Sequence, residues 1–361
     1  MDKDFFISKN IILSKGYCRS VICDFSSENS AFFIVPNSLI EFLEKYNNYD
    51  LSTLSKDEKD ILETYNSFLI EQNIALNYNS NFFLPLNKNW DFPSIITNVS
   101  IDCELNEQII EFISGLNCFH YKVYIDNNEE LNNLKTVLNK LVLDSKIESI
   151  EIVIKDKLSV IESDLNELLL NPYIHSVLIF NSKEEINNPI NKISNFDYSF
   201  ENHQIPVLNS VLLSIPLYTE SLKHHTYFNR KLHIGNKGEV KNDYQCLENF
   251  GNINEIKNIE QLKTIIGTKN FQKLWHITKE DCDVCKDCEF MNMCVDSRLA
   301  YKREDGSWYH KTECNYNPYT NTWKGSKNHK SLGECGVISN KGGFNIDHIK
   351  IEKINQEIWS N

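Results

Sequence analysis

Residues 120–125 have the sequence HYKVYI, in which β-branched and aromatic residues predict a β-strand. Similar apolar runs occupy residues 95–101, 147–154 and 174–180. Between them, residues 107–114, 129–143 and 160–170 carry apolar side chains at helical spacing. The strands recur about every 27 residues, which is the βα rhythm of a parallel sheet or barrel. The sequence therefore predicts an α/β fold.

The βα pattern covers residues 93–226 and contains about four units. A complete eight-fold barrel needs about 250 residues. We therefore expect a partial (β/α) barrel in this part of the chain.

The first 82 residues have a different pattern. Short apolar runs at 11–13, 20–24 and 31–35 predict strands, and the polar residues 26–30 predict a hairpin turn between the last two. One helix is expected after Pro36, and a second begins at Ser55, where Glu58 completes a capping box. Residues 74–76 resemble a closing strand. Residues 1–82 thus suggest a small winged-helix-like module.

Residues 227–361 are rich in loops, aromatic residues and cysteines. Cys285 and Cys288 are separated by two residues, Cys294 follows five residues later, and Cys314 lies one short loop further on. Four thiolates suit either tetrahedral zinc or an iron–sulfur cluster, and the spacing leaves both open. These four are the preferred ligands, with Cys282 as an alternative. A metal there would stabilise a segment with little regular apolar pattern.

Composition limits the classes of partner. The formal net charge of −13 disfavours nucleic acid as a partner and favours a basic peptide. No apolar run approaches the roughly 20 residues that span a bilayer, and residues 1–6 lack the layout of a secretory signal. We therefore expect a cytoplasmic protein without membrane contact, whose eleven cysteines are thiols or metal ligands.

The segment from Val284 to Phe290, with Cys294 and residues 314–319, resembles the SPASM domain of radical SAM peptide-modifying enzymes. More closely, together with residues 227–232, it resembles the SPASM-domain peptide maturase of grasp-with-spasm systems. There an ATP-grasp ligase acts on a ribosomal precursor peptide. The first 82 residues resemble the winged-helix RiPP recognition element, which binds leader peptides, and the βα units resemble a partial radical SAM barrel.

The resemblance implies that Cys285, Cys288, Cys294 and Cys314 hold one auxiliary [4Fe–4S] cluster. A second cluster is not expected, because Arg298 stands where the family has its next cysteine. Among the upstream ligands of that second cluster, only Cys246 has a plausible position.

The catalytic cysteine triad of radical SAM enzymes is missing. Such enzymes need Cys-x3-Cys-x2-Cys after the first barrel strand, whereas residues 98–105 contain Cys103 alone and the next cysteine is Cys118. Residues 126–128 replace the Gly-Gly-Glu turn that often contacts SAM. S-adenosylmethionine binding is therefore not expected, and Cys103 is interpreted as a buried small apolar residue or a loop thiol.

Other candidate residues are interpreted structurally. His224, His225 and His233 lie in an aromatic, basic run and are expected to be core or surface histidines. Cys18 and Cys23 are expected in hairpin strands, and Gly235 and Gly238 in a hairpin turn.

Three functions remain in competition. The first is a non-catalytic maturation factor that binds a precursor leader and works with an ATP-grasp ligase. The second is an active radical SAM/SPASM-type enzyme that uses the auxiliary cluster. The third is a zinc-stapled peptide-binding protein.

Overall fold

A computed structural model describes residues 6–25, 31–45, 54–76, 84–144, 146–156, 162–182, 192–200 and 211–359. The chain divides into two compact units. The first unit comprises Met1–Trp90, Val207–Thr226 and Ile277–Asn361, and the second comprises Asp91–Pro206 and Tyr227–His276. The assignment of domains to residues 1–82, 93–226 and 227–361 stays a prediction.

The N-terminal part of the first unit contains, in chain order, β1 (Phe6–Ile7), β2 (Ile11–Lys15), β3 (Ser20–Asp24), β4 (Ala31–Val35), α1 (Asn37–Lys45), α2 (Lys56–Glu71) and β5 (Ala75–Leu76). Strands β2, β3 and β4 form an antiparallel sheet with β3 in the centre, and β1 pairs with β5. Ser55 and Glu58 form the predicted capping box of α2. The predicted turn at 26–30 lies outside the described residues. The winged-helix assignment stays a prediction.

The central strand β3 is buried on both faces. Ile22 packs with Leu39 and Ile40 of α1 in one apolar cluster. Val21 and Cys23 point the other way, because successive side chains of a strand alternate, and they pack in a second cluster with Phe290 and Met293. The small sheet therefore lies between its own helices and the cysteine-bearing segment of the same unit.

The second unit is built on β6 (Asn98–Ile101), α3 (Glu107–Gly115), β7 (His120–Ile125), α4 (Asn128–Asp144), β8 (Ser149–Ile154), α5 (Glu162–Leu169), β9 (Ile174–Ile179) and β10 (Ile193–Asn195). After α6 (Ile215–Ser221) of the first unit, β11 (Lys231–Ile234), β12 (Val240–Lys241) and α7 (Ile259–Ile266) complete it. The strand order is β10-β9-β8-β7-β6-β11-β12, and every neighbouring pair except β11–β12 is parallel. The predicted α/β class and parallel sheet are confirmed.

The two faces of this sheet differ in chemistry. One face carries Val123, Ile152 and Ile154, which are buried in an apolar core that also includes residues of α3, α4, α5 and α7. The opposite face carries Lys122 and Glu151, in an ion pair. Barrel interiors are normally filled by branched apolar side chains. The polar face is therefore the feature of this unit that offers a binding surface.

The C-terminal part of the first unit has short elements: β13 (Ala300–Lys302), β14 (Trp308–His310), β15 (Tyr316–Asn317), β16 (Thr322–Trp323), α8 (Leu332–Cys335), β17 (Val337–Asn340), β18 (Gly343–Ile346) and α9 (His348–Trp359). Three antiparallel pairs, β13–β14, β15–β16 and β17–β18, form separate two-stranded sheets. This agrees with the expected loop-rich segment. The SPASM-like assignment stays a prediction.

Candidate metal centre and a polar cavity

Cys285, Cys288 and Cys294 each lie at the end of a tight turn. Cys285–Asp287 form a 3-10 helix, after which the Cys288 N–H donates to the Cys285 carbonyl at 3.1 Å. Val284 directly precedes this turn with a φ of 66°, a left-handed conformation that β-branched residues rarely adopt. A second 3-10 helix, Met291–Met293, ends at Cys294. The chain thus bends sharply beside each thiol.

The structure brings the four preferred cysteines within electrostatic range of one another. Burial raises the pKa of Cys285, and the charge of Cys314 adds to the effect. Burial also raises the pKa of Cys294 to about 12, with contributions from Cys314 and Cys285. The pKa of Cys288 lies well above its ordinary value because of burial, Glu289, Cys294 and Cys285. All four cysteines are half-buried. That they hold a metal stays a prediction.

Cys282, the alternative ligand, is completely buried. Its backbone forms an isolated bridge with Trp308 of β14. Burial raises the pKa of its thiol to about 12, and Cys285 adds to this. Its role as a ligand is untested.

A buried ion network adjoins the thiols. The Lys279 ammonium donates to Asp296 Oδ2 at 2.7 Å, and Arg298 donates to both Asp296 oxygens at 2.7–3.1 Å. The Arg298 guanidinium also donates to Cys285 Sγ at 3.5 Å. Burial raises the pKa of Asp296, but Lys279 and Arg298 outweigh this and hold it well below its ordinary range. Two buried cations therefore share one carboxylate.

His310, at the end of β14, lies beside this ion network. Its Nδ1 lies 3.1 Å from the Leu299 carbonyl, which assigns the ring proton to Nδ1 and leaves a lone pair on Nε2. Nε2 lies 4.0 Å from Asp296 Oδ2 and has no hydrogen-bond partner among the described residues. Burial, Arg298 and Lys279 lower the pKa of His310 to about 3, so the ring is neutral at pH 7.

Cys285, Asp296 and His310 form a group whose ligand atoms all lie within 4.8 Å of one another. Among the described residues no three of the four cysteines form such a group. Four thiolates on one zinc ion would lie about 3.8 Å apart. The cysteines are thus more widely spaced than a closed zinc site requires.

The donor set and the local charge nevertheless fit an anionic thiolate centre. Cys285 and Cys314 both influence the charge of Cys294, and the two cations with their single carboxylate leave excess buried positive charge. Such charge is costly unless an anion accompanies it. A centre held by four thiolates would supply that anion.

The remaining candidate residues have structural surroundings. Cys103 packs at the edge of the apolar core of the second unit, and Cys118 is fully buried, with Sγ 3.0 Å from the Thr97 carbonyl. Burial raises the pKa of each to about 12. Cys246 is also buried, and burial raises its pKa to about 12. Cys103 is half-buried in the loop after β6, which matches its interpretation as a loop thiol.

The predicted positions of Cys18 and Cys23 are half right. Cys23 lies in β3. Cys18 lies in the turn before β3, where its thiol donates to the Tyr319 carbonyl at 3.2 Å. A strand had been expected there, but Gly16 bonds across to the Arg19 carbonyl and closes a turn instead.

The predicted histidines and glycines fit their structural interpretation. His233 is buried in β11, with Nδ1 2.8 Å from Ser100 Oγ, and His225 is also buried. His224 is partly exposed, and its ring contacts the Trp90 ring in a tilted arrangement with centroids 5.1 Å apart. Gly235 and Gly238 shape the predicted hairpin between β11 and β12, and Gly238 has a φ of 85°.

The loop after β6 is held by an ion-paired trio. The Lys155 ammonium, just after β8, pairs with Asp102 after β6 and with Asp126 after β7. Burial raises the pKa of Asp102 to about 6, although Lys155 lowers it. Since the carboxyl ends of parallel strands meet at one sheet edge, these charges occupy the position where ligands usually bind in such folds.

A cavity of about 300 Å³ lies on the polar face of the same sheet. Lys231 of β11 lies over the Tyr227 ring at 3.0 Å from its centroid and 3.4 Å from Asp243. Burial lowers the pKa of Lys231 to about 8. The Lys122–Glu151 pair lines another part of the cavity. It therefore offers two lysines and two carboxylates to a polar ligand.

Strand β4 is an edge of the small sheet in the described part of the chain, and it exposes apolar side chains. Phe32 is 39% exposed and Ile34 50% exposed. Both face the side of the sheet on which Phe290 lies, and the Phe32 and Phe290 rings contact each other edge to face. An open strand edge with apolar neighbours is a template for strand addition.

Sequence reasoning missed Lys279, Asp296 and His310. The first two and Arg298 are charged residues interleaved with the cysteines, and this interleaving was the available signal. It also missed the cavity pair Lys231 and Asp243. Lys231 precedes an apolar run, and the strand it begins could not be identified from four residues.

No protein-family model matches this chain, and no curated protein matches it. Among solved structures, the chain is similar to the crystal structure of Streptococcus suis SuiB bound to S-adenosylmethionine. The two are 10% identical, the match covers 81% of this chain and 94% of that one, and the TM-score is 0.28. A TM-score of this size does not establish a common fold, so the family assignment stays a hypothesis.

Within the described residues, no helix combines the length and apolar composition that crossing a bilayer would need.

Proposed function

We propose that this chain is an accessory maturation factor for a ribosomally synthesised peptide. The proposal has three parts. Its β4 edge binds the precursor leader, its cysteine-bound [4Fe–4S] centre holds the C-terminal segment of the first unit together, and the complex presents the peptide to an ATP-grasp ligase. S-adenosylmethionine cleavage is not part of this function.

The observation that carries the proposal is the β4 edge. Phe32 and Ile34 are exposed on a strand that pairs on one side only in the described part of the chain. A peptide added as a fourth strand would satisfy the backbone groups of β4 and cover both side chains. The net charge of −13 favours a Lys-rich leader and would speed the encounter.

The ion-paired loop supports a role without SAM cleavage. A SAM-binding cluster leaves one iron open and needs three thiolates around it. At the corresponding edge the chain offers the Lys155 pair with Asp102 and the single thiol of Cys103. The chain therefore lacks the ligands for that chemistry.

The polar cavity favours a second candidate function, a peptide-modifying enzyme. Lys231 borders the cavity, and burial brings its pKa to about 8, close to the range of a catalytic amine. In this second function the sheet would act on a polar side chain of the peptide.

One anaerobic preparation tests the two functions against each other. Iron, sulfide and zinc are quantified, and the sample is then given dithionite and S-adenosylmethionine. The accessory function predicts iron and sulfide, no 5′-deoxyadenosine, and binding of synthetic Lys-rich peptides, measured by fluorescence anisotropy. Release of 5′-deoxyadenosine, or a mass change in the peptide without a ligase, would establish an enzyme instead.

A further inference from the structure

The buried charges beside the cysteines do not balance by themselves. Lys279, Asp296 and Arg298 have side-chain exposures of 5%, 1% and 8%, so none is compensated by bulk water. Lys279 and Arg298 carry one positive charge each and share the single carboxylate of Asp296. One buried positive charge is therefore left for another partner.

A cysteine sulfur lies beside these cations. The Arg298 guanidinium donates to Cys285 Sγ at 3.5 Å while it also donates to Asp296. Asp296, which Lys279 contacts at 2.7 Å, has a carboxylate oxygen within 4.8 Å of the same sulfur. The positive charge is thus placed next to one of the four prospective ligands.

The group of Cys285, Asp296 and His310 is poorly suited to a separate cation. Both Asp296 oxygens already accept hydrogen bonds from Arg298, and Oδ2 accepts one from Lys279 as well. A divalent ion would have to displace these donors and lie beside two like charges, which costs several kcal/mol at low dielectric constant. Asp296 therefore acts on the cations and not as a ligand.

We infer that Arg298 and Lys279 are the built-in counter-charges of the thiolate centre, and that Asp296 sets how much of their charge the centre receives. The inference rests on the metal centre of the proposed function. Arg298 is a positioning residue, since its guanidinium contacts a ligand sulfur and not the metal. Hydrogen bonds and positive charge at the sulfurs stabilise the more negative states of such a centre.

This role has a signature that a purely structural role lacks, because Asp296 and Arg298 are expected to have opposite effects. Removing the charge of Arg298 deprives the centre of its counter-charge. Removing the charge of Asp296 with an isosteric amide leaves both cations directed at the thiolates. If Asp296 were a metal ligand or a purely structural residue, metal would be lost in the Arg298 variant and in the Asp296 variant alike.

The test measures metal release from the full-length protein, loaded anaerobically with iron and sulfide or with zinc. Release is followed with a colorimetric chelator, bathophenanthroline disulfonate for iron and pyridylazoresorcinol for zinc. Arg298→Gln is expected to release metal about tenfold faster, in line with the loss of a hydrogen bond to a charged group. Asp296→Asn is expected to release it no faster than the unmodified protein.

The matched control is Lys286→Gln, which removes the same charge from within the array. Its side chain is 41% exposed, so release should stay within about twofold. Arg298→Lys keeps the charge and should stay within about threefold. Near-ultraviolet circular dichroism shows whether Arg298→Gln folds. If it does not fold, Arg298→Lys and Asp296→Asn still test the inference.

Iron-loaded samples give a second readout. Each centre accepts one electron from dithionite in a potentiometric titration followed by electron paramagnetic resonance. Arg298→Gln is expected to disfavour the reduced form about tenfold, which corresponds to a reduction potential about 59 mV more negative than that of the unmodified protein.

Equal effects of Arg298→Gln and Lys286→Gln would overturn the inference. So would fast release from Asp296→Asn, or an unmodified protein that retains neither metal. The last result would leave leader binding at β4 untouched, because anisotropy measures that separately.

Discussion

The parallel sheet of the second unit and the cysteine-bearing segment of the first unit bury different kinds of side chain. In the sheet, Ile101, Ile152 and Ile154 have no measurable exposure and pack only among apolar neighbours. Between residues 279 and 303 half of the buried side chains are charged, and these lie in ion networks: Lys279, Asp283, Glu289, Asp296, Arg298 and Arg303.

The difference teaches how each region keeps its shape. Apolar burial stabilises by roughly 25 cal/mol per Å² whatever the detailed geometry. Buried ion pairs roughly balance their own desolvation, but they penalise any arrangement that separates them. The sheet can therefore be stable without a ligand, whereas the arrangement of the cysteine segment is specified by its charges.

The largest expected effect breaks the cysteine segment. Cys288→Ser removes one prospective ligand, and a structural metal contributes on the order of 10 kcal/mol to small domains. Residues 277–323 should lose hydrogen-exchange protection, while the strands of the parallel sheet keep theirs. The buried thiol Cys335 lies outside the array, and Cys335→Ser serves as the control. Loss of metal without loss of protection would contradict a structural role.

The next effect breaks the sheet. Ile152→Ala leaves a cavity among fully buried neighbours and should lower the free energy of unfolding of the second unit by about 2–4 kcal/mol in urea. Metal content should not change. Ile349 is 82% exposed, so Ile349→Ala should change the free energy by no more than about 0.5 kcal/mol. An equal loss in both variants would show that burial is not the cause.

Acid sharpens the comparison, because the sheet contains a buried neutral histidine. Burial lowers the pKa of His233 from 6.5 to about 4. The unfolded chain therefore binds this proton more tightly. Burial of the neutral ring therefore costs no stability above pH 6.5. As the pH falls from 6.5 towards 4, the free energy of unfolding should decrease by at most about 3 kcal/mol.

The measurement is the melting temperature between pH 7 and pH 4. His233→Gln keeps a polar group near Ser100 and should flatten the fall in this window. His120, an exposed residue of the same sheet, provides the control His120→Gln, which should keep the slope of the unmodified protein. An unchanged slope in His233→Gln would assign the acid sensitivity to another group.

The smallest effect on stability concerns the β4 edge. Ile34→Lys places a charge on a half-exposed position, so the free energy of unfolding should change by no more than about 0.5 kcal/mol. Leader affinity should nevertheless fall about tenfold, because the lysine would be desolvated beneath the added strand. Ile338 of β17 is 52% exposed, and Ile338→Lys is the matched control. Undiminished affinity in Ile34→Lys would move the site elsewhere.

Local patterns made much of the fold predictable. The strand over residues 120–125 and the helix beginning at Glu107 follow from side-chain periodicity, and the start of α2 follows from the Ser55 cap. Strand β11 was missed because four residues carry little periodicity, and its parallel partner β6 lies more than a hundred residues away in sequence. Only the folded sheet brings the two together.

The candidate site also has one part that the sequence predicted and one part that it did not. Cysteine spacing is local, so the array centred on Cys285 and Cys288 was visible in the sequence. The pairing of Lys279 with Asp296, and the approach of His310 from β14, depend on how separate turns pack. The charged residues near the cysteines were visible in the sequence, but spacing rules contain no information on which of them pair.

The open edge of β4 also bears on how the chain behaves alone. Its backbone groups can pair with the same strand of a second molecule as readily as with a leader, and the exposed Phe32 and Ile34 favour that contact. The surface that would recruit a substrate is thus also the one most prone to aggregation. A bound peptide would cover this edge and prevent self-association. The concentration at which the protein stays soluble would therefore depend on the supply of its substrate.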